Sequence, residues 1–373
     1  MKRSEDRILT THVGSLARPP SLAAMLMARG RGEAVDKAAF DAECREAVKA
    51  IIAQQVKAGI DIVNDGEQSK DNFATYVRER LSGFGTNEVS MPVTLDEREF
   101  PRYKFDLKLA PCIEPVEWKD FSSVEKDIEH LREATKDSGA EEVFMTAVSP
   151  GTLVNFFPNR FYGSREEYLA AAAEVLKREY DAIAGAGFVL QVDCPDLALQ
   201  NYWFPDTSLD EFRAIVAGNI EVLNHALRDI PADRVRMHVC WGAAETPRNY
   251  DVPLGAVLDL LFAARVSAIS FMSANGRHEH EWKVWQDTKL PAGMSIIPGV
   301  IDNTTNVIEH PEVVADRIVR LAGLVGRESV IAGVDCGFGT AIEMMLIVDP
   351  QVAMAKLRSL SEGAAMASKQ LWS

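Results

Sequence analysis

Val235-Arg236-Met237-His238-Val239-Cys240 is a short β-branched run that ends on two metal-capable side chains. A strand has a period of two, so residues two apart point to the same side. Val239 then faces a helix layer, while His238 and Cys240 point inward together. Similar runs recur on both sides of it, near Ile8–Val13, Ile60–Asn64, Glu142–Val148, Phe188–Val192, Ala268–Met272, Ser295–Ile301 and Ser329–Val334. Between them lie amphipathic segments such as Lys37–Ala58, Ser164–Ala186, Leu209–Arg228 and Pro311–Val325. Strands alternating with helices predict parallel βαβ units. About eight units predict a closed (β/α)8, or TIM, barrel. The rival is a doubly wound open sheet, but no Gly-x-Gly-x-x-Gly joins a first strand to a helix. The rhythm breaks between Gly83 and roughly Asp127, where Met91-Pro92-Val93, Glu99-Phe100-Pro101 and Ala110-Pro111-Cys112 read as extended chain with turns. This is expected to be a hairpin-bearing insertion after the second βα unit, within a single domain over residues 1–373. The C-terminal Ser359–Ser373 stretch reads as a helix that closes the barrel or joins a contact in a homo-oligomer.

The 373 residues are 47% hydrophobic and 25% charged, which is enough for a large core and typical of a soluble globular chain. A formal net charge of −15 with no basic stripe argues against nucleic acid and against an anionic membrane surface as partners. The start, Met1 to Arg7, has no apolar stretch behind it, and no run of about 18 apolar residues occurs anywhere. The five cysteines, Cys44, Cys112, Cys194, Cys240 and Cys336, are odd in number and widely spaced. They fit a reducing cytoplasm better than a disulfide framework.

Polar residues gather where the predicted strands end. Ser15 follows the first, Asp65-Gly66-Glu67 the second, Asp193-Cys194-Pro195 the fourth, Asp302-Asn303-Thr304 the seventh and Asp335-Cys336-Gly337 the eighth. In such barrels these ends build the active site. Imidazole and thiolate suit zinc, and Cys336 can complete a three-ligand set with His238 and Cys240, leaving a fourth position open for catalysis. The plainer reading is a core cysteine beside a hydrogen-bonded histidine. Zinc held by two thiolates and one imidazole suits keeping a substrate thiol as the nucleophilic thiolate.

On Thr11-His12-Val13-Gly14-Ser15, Asp65-Gly66-Glu67, Gln191-Val192-Asp193-Cys194-Pro195, His238-Val239-Cys240, Pro298-Gly299-Val300-Ile301-Asp302 and Asp335-Cys336-Gly337, the chain resembles the catalytic barrel of cobalamin-independent methionine synthase. It is more similar still to that family's short single-barrel relatives, which include the epoxyalkane:coenzyme M transferases. The resemblance implies zinc on His238, Cys240 and Cys336. It implies a homocysteine pocket with Ser15 on the substrate carboxylate and Glu67 and Asp193 on its ammonium. The plainer role for those two acids is to bridge strand ends or cap helices. The resemblance also implies an aromatic that stacks on the alkyl donor in the Asn155–Tyr162 loop, where Phe156 stands. Asp302 is expected to help the leaving group or to orient a proton donor.

Three departures bear on the donor. Met272 stands where the family's methionine synthases carry a sixth-strand glutamate that can fill the fourth zinc position, which leaves that place to water, substrate or a carboxylate such as Glu279. Thr304 replaces a histidine assigned to protonating folate, and the N-terminal half of the long enzymes is absent from this sequence. Arg277–Trp282, with two histidines and two glutamates, is expected to be an active-site loop or a solvated turn rather than a second metal site. The expected function is therefore zinc-dependent transfer of an alkyl group, a methyl in the first instance, to a small-molecule thiol. The donor is a folate, a methylated compound or, in the epoxyalkane:coenzyme M alternative, an epoxide. A metal-free activity like that of uroporphyrinogen decarboxylase is the more distant alternative.

Overall fold

The computed structural model describes residues 1–104, 107–340 and 348–373. Its strands are β1 (Ile62–Val63), β2 (Val89–Ser90), β3 (Lys108–Leu109), β4 (Glu142–Val148), β5 (Val189–Asp193), β6 (Val235–Val239), β7 (Ala268–Phe271), β8 (Ser295–Ile301) and β9 (Gly333–Val334). β1 and β4 through β9 form one curled seven-stranded sheet in which each strand pairs parallel with the next. Helices fill the crossovers, chiefly Arg165–Gly185, Leu209–Ala226 and Pro311–Val325. Their starts follow from the sequence. Ser164 and Ser208 cap the first two through side-chain oxygens, and Pro311 sits in the first turn of the third.

Seven strands stand where eight are expected, because the first segment makes only isolated bridges. Thr10 bridges Ala332, and Thr11 bridges Ile62. Side chains take backbone groups that a longer ladder would use. Ile8 N–H donates to Ser368 Oγ at 2.9 Å, Leu9 N–H to Ser4 Oγ at 3.0 Å and Thr10 N–H to Asp61 Oδ2 at 2.8 Å. The second predicted strand shrinks to two residues for the same reason, since Asp61 N–H donates to Thr10 Oγ1 and Asn64 N–H to Gln55 Oε1.

The two faces of the sheet bury different chemistry. On the outer face Val235, Met237 and Val239 join the main apolar cluster, which also takes in the helical Val216, Ile220 and Leu223. Inside the curl, Leu9, Ile62, Phe144, Val189, Ala268, Ile297 and Ile331 make a separate apolar layer near the starts of the strands. Next to it lies Arg236, whose guanidinium sits 3.5 Å from the Phe144 ring centroid and donates to Gln191 Oε1, Thr11 Oγ1 and the His12 carbonyl.

Within the 83–127 stretch, β2 pairs antiparallel with β3, and a capping box at Thr94 starts the short helix Leu95–Glu99. The next helix, Ser122–Thr135, begins before the expected end of that stretch, and residues 105 and 106 lie outside the described ones. The C-terminal helix starts at Pro350, earlier than the sequence suggests, with Asp349 accepting from the N–H groups of Gln351 and Val352. It packs on Pro311–Val325 at Gly363, where a Cβ would come within 2.5 Å of Val314. Among the described residues no helix is long and apolar enough to cross a membrane.

Candidate metal centre and substrate cavity

The alternation along β6 brings His238 and, one residue past the strand, Cys240 to the inside of the curl. Cys336 arrives from the loop after β9. The ligand atoms of these three residues all lie within 4.8 Å of one another, and all three residues are buried. Cys240 Sγ is 3.2 Å from Cys336 Sγ and accepts a hydrogen bond from Gly242 N–H at 3.2 Å. His238 Nδ1 is engaged by Ser270 Oγ at 3.1 Å, so Nε2 is the nitrogen left to ligate. That Nε2 is buried without a hydrogen-bond partner, which fits a nitrogen available as a ligand. The hydrogen bond between the two thiols pulls Cys240 well below the ordinary thiol range against the cost of burial, with His238 adding to the effect, and it pushes Cys336 up. Two soft sulfurs and an imidazole nitrogen converging on one point can hold a metal ion.

Cys336 is held in place by the residue before it. Asp335, fully buried, accepts from the N–H groups of Ser273 and Ala274 on one oxygen, and from Asn275 N–H and Nδ2 on the other, each at 2.8 Å. This carboxylate ties the turn after β7 to the loop after β9. It also explains the glycine in Pro298-Gly299: a Cβ at Gly299 would fall 2.0 Å from Asp335 Oδ1.

The cavity beside these three residues is lined by, among others, Ser15, Glu67, Asp193 and Phe156, so the structure brings these four side chains together. Glu67 has a positive φ of 55° directly after Gly66, a left-handed turn steadied by Asp65 Oδ1, which accepts from Glu67 N–H at 3.0 Å. Its Oε1 accepts from Thr146 Oγ1 at 2.8 Å, and its Oε2 is buried without a hydrogen bond. Asp193 accepts from Gln191 Nε2 at 2.8 Å, and burial, with the charge of Glu67, pushes its carboxyl up to about 7. Arg18 donates to Ser15 Oγ at 3.3 Å from behind. Phe156 ends the helix Pro150–Phe156, whose Ser149 cap is itself bonded to the buried Asp196.

Asp302 is placed differently. Its Oδ1 accepts from Thr304 N–H and Oγ1, both at 2.8 Å, which closes its own turn, and the neighbour Asn303 is the residue that lines the cavity. Met272 is fully buried, with its sulfur 4.0 Å from Arg248 Nη1. The Arg277–Trp282 segment is no solvated turn at its core. His278 is buried between Asp251 at 3.0 Å and Glu281 at 2.7 Å. Burial lowers its pKa, but the hydrogen bonds to the two acids outweigh that and raise it to about 9. Glu279 instead pairs outward with Arg317 at 3.1 Å.

Several residues of the site have no sequence signature. Arg248, another non-glycine with φ of 55°, is buried and donates to the carbonyls of Trp241, Gly242 and Ala244, clamping the loop directly after Cys240. Phe73, Trp203 and the pair Met91 and Leu107, which flank the β2–β3 hairpin, line the cavity from three separate parts of the chain. Only their shared hydrophobicity could have pointed to them, and that does not distinguish them from core.

Residues 8–356 match the family described as cobalamin-independent synthase, catalytic domain. The chain belongs to that family. Among relatives, it is 24% identical to a methionine synthase of Sulfurisphaera tokodaii, covering 97% of this chain and 93% of that one. It is 23% identical to a methionine synthase of Thermococcus kodakarensis, covering 97% and 94%. Among solved structures, a B12-independent methionine synthase from Shewanella sp. W3-18-1 in complex with selenomethionine superposes with a TM-score of 0.76 at 23% identity, covering 98% of this chain and 99% of that one. A putative vitamin-B12-independent methionine synthase from Listeria monocytogenes gives 0.66 at 17% identity over 98% and 99%. At these identities the two structures speak for the fold, and the family assignment rests on the match over residues 8–356.

Proposed function

We propose that this chain is a zinc-dependent methyltransferase that alkylates the thiol of a small amino acid, homocysteine in the first instance. The observation that carries the reading is the convergence of His238 Nε2, Cys240 Sγ and Cys336 Sγ at the edge of a cavity that also holds Glu67, Asp193 and Ser15. The names of the relatives point the same way. Zinc on these three residues would keep a bound thiol deprotonated at neutral pH. The protein's own groups do the rest. Glu67 Oε2, buried and without a hydrogen bond, and Asp193 face the substrate ammonium. Arg18 donates into Ser15 Oγ, leaving the serine hydrogen free for the substrate carboxylate. Bound at three points, the thiol is aimed along one direction into the cavity.

The same floor weighs against coenzyme M with an epoxide, since Glu67 and Asp193 suit an ammonium and no Lys or Arg among the described lining residues offers a sulfonate a countercharge. It also weighs against a porphyrinogen rich in carboxylates, because no Lys or Arg lines the cavity among the described residues. For the architecture, we propose a single domain whose sheet is a closed (β/α)8 barrel, with 83–127 as an insertion. The bridges of Thr10 to Ala332 and of Thr11 to Ile62, which join the two edge strands through the first segment, support this.

The test is metal analysis with product detection. The wild type should bind about one zinc per chain and form methionine from homocysteine. Cys336→Ala should lose the zinc and the activity while staying folded, because only one small side chain of a large apolar core is changed. Equal zinc in both proteins removes Cys336 from the site. Thioether formation from coenzyme M but not from homocysteine rejects the amino-acid pocket.

A further inference from the structure

Beyond the thiol floor, the cavity wall carries a message about the donor. Phe156 stands between Phe73, with ring centroids 5.6 Å apart and edge-on, and Trp203, at 5.0 Å and tilted. All three rings line the cavity, so they form one continuous aromatic wall. They come from positions well past the strand ends, after β1, β4 and β5, whereas His238, Cys240 and Asp193 sit at or next to strand ends. The rings therefore lie on the outer side of the thiol position, where the leaving group of an in-line displacement must sit. Apart from the ligands and the two acids, the polar lining residues are neutral, Ser15, Asn72, Tyr202, Asn303 and Thr340. Among the described lining residues the only charged or acidic groups are carboxylates and thiols, apart from His238 and the Tyr202 phenol, and none is a Lys or Arg. The chain as a whole carries −15.

Resting on the thiol-methylation reading, we infer that the methyl donor is a small methyl-onium cation, a sulfonium or a quaternary ammonium, held against the Phe73–Phe156–Trp203 wall. Aromatic faces attract such a cation through the ring quadrupole, and the negative charge of the chain adds to that attraction. A polyanionic folate would meet no countercharge on the wall. The chemistry closes without further partners. The thiolate sulfur attacks the onium methyl, a new S–C bond forms, and the C–S or C–N bond to the onium centre breaks. Its electron pair leaves on a neutral thioether or tertiary amine. The leaving group needs no proton, which suits a wall without a general acid and a Thr304 turned to its own loop at Asp302.

The test separates binding from transfer. Calorimetry on the zinc-loaded protein compares choline with its neutral isostere, in which carbon replaces nitrogen. The cation should bind roughly tenfold tighter. Trp203→Phe should keep that preference and Trp203→Leu should lose most of it. Trimethylsulfonium with homocysteine should yield methionine and dimethyl sulfide. Equal binding of choline and the isostere overturns the inference, because the wall is then merely apolar. Faster transfer from triglutamyl methyltetrahydrofolate than from trimethylsulfonium overturns it as well. A cation preference with no thioether from any donor upholds the cation wall and rejects the thiol reading instead.

Discussion

The same strands build two opposite environments inside the curl. Near their starts Leu9, Ile62, Phe144, Val189, Ala268, Ile297 and Ile331 close an apolar layer in which every member is at most 5% exposed. A few residues further along, the same inward positions carry Gln191, Asp193, Arg236, His238 and Ser270, bonded to one another or aimed at the cavity. One end stabilises the fold through burial. The other keeps polar atoms such as His238 Nε2 and Glu67 Oε2 buried without hydrogen bonds, which costs stability and is tolerated where a ligand completes them. The difference separates folding from function along a single strand, and it can be tested from either side.

The largest effect should come from the apolar end. Phe144→Ala removes a fully buried ring and should cost about 3–5 kcal/mol in urea unfolding. Zinc stoichiometry of the surviving folded protein should be unchanged. Loss of metal in step with stability would show that the two ends are not separable.

The buried His278 cluster should come next, through pH. Its folded pKa of about 9 lies above the ordinary value near 6.5, so the folded state favours the protonated ring between Asp251 and Glu281. That contribution is complete below about pH 6.5 and is lost as pH rises through 9, a total of roughly 3 kcal/mol. Unfolding midpoints stepped through this range should fall in the wild type and stay flatter in His278→Asn. Parallel curves would mean that Arg248, also paired with Asp251, carries the cluster alone.

At the cavity end, Glu67→Gln should raise KM for homocysteine about thirtyfold, about 2 kcal/mol, while unfolding stability falls by less than that, because the substitution also neutralises the partner of buried Arg18, 3.9 Å from Oε2. A thiol without an amine should be indifferent to the change. A stability loss equal to the kinetic effect would make Glu67 a structural bridge between strand ends. The smallest effect is expected from Ser270→Ala, which removes the hydrogen bond that orients His238. Zinc affinity, read by competition with a chelator, should fall about tenfold without a shift in unfolding midpoint. An unchanged affinity would leave the imidazole held by packing alone.

Much of the site is readable along the chain because it rests on strand periodicity. His-x-Cys on a strand puts both side chains on one face, and Cys336, Glu67, Asp193 and Ser15 each follow a predicted strand closely. Asp302 shows the limit. Its position beside Asn303 is clear, but which of the two faces the cavity depends on the turn that Asp302 closes with Thr304. The His278 segment shows another limit. Alternating His and Glu look solvated until Asp251, distant in sequence, is brought to 3.0 Å.

By itself the sequence determined the alternation of strands and helices, the inward face of β6 and the set of metal-capable residues, because these depend on spacing within one strand or at its end. Tertiary structure decided the length of the short strands, where side chains such as Ser4, Asp61 and Gln55 capture backbone N–H groups from elsewhere in the chain. It also decided the aromatic wall, since Phe73, Phe156 and Trp203 come from three different loops and short helices and meet only when the parallel sheet brings the ends of β1, β4 and β5 side by side. Local periodicity carries no record of such neighbours, because hydrophobic contact is non-directional and many folds could satisfy it.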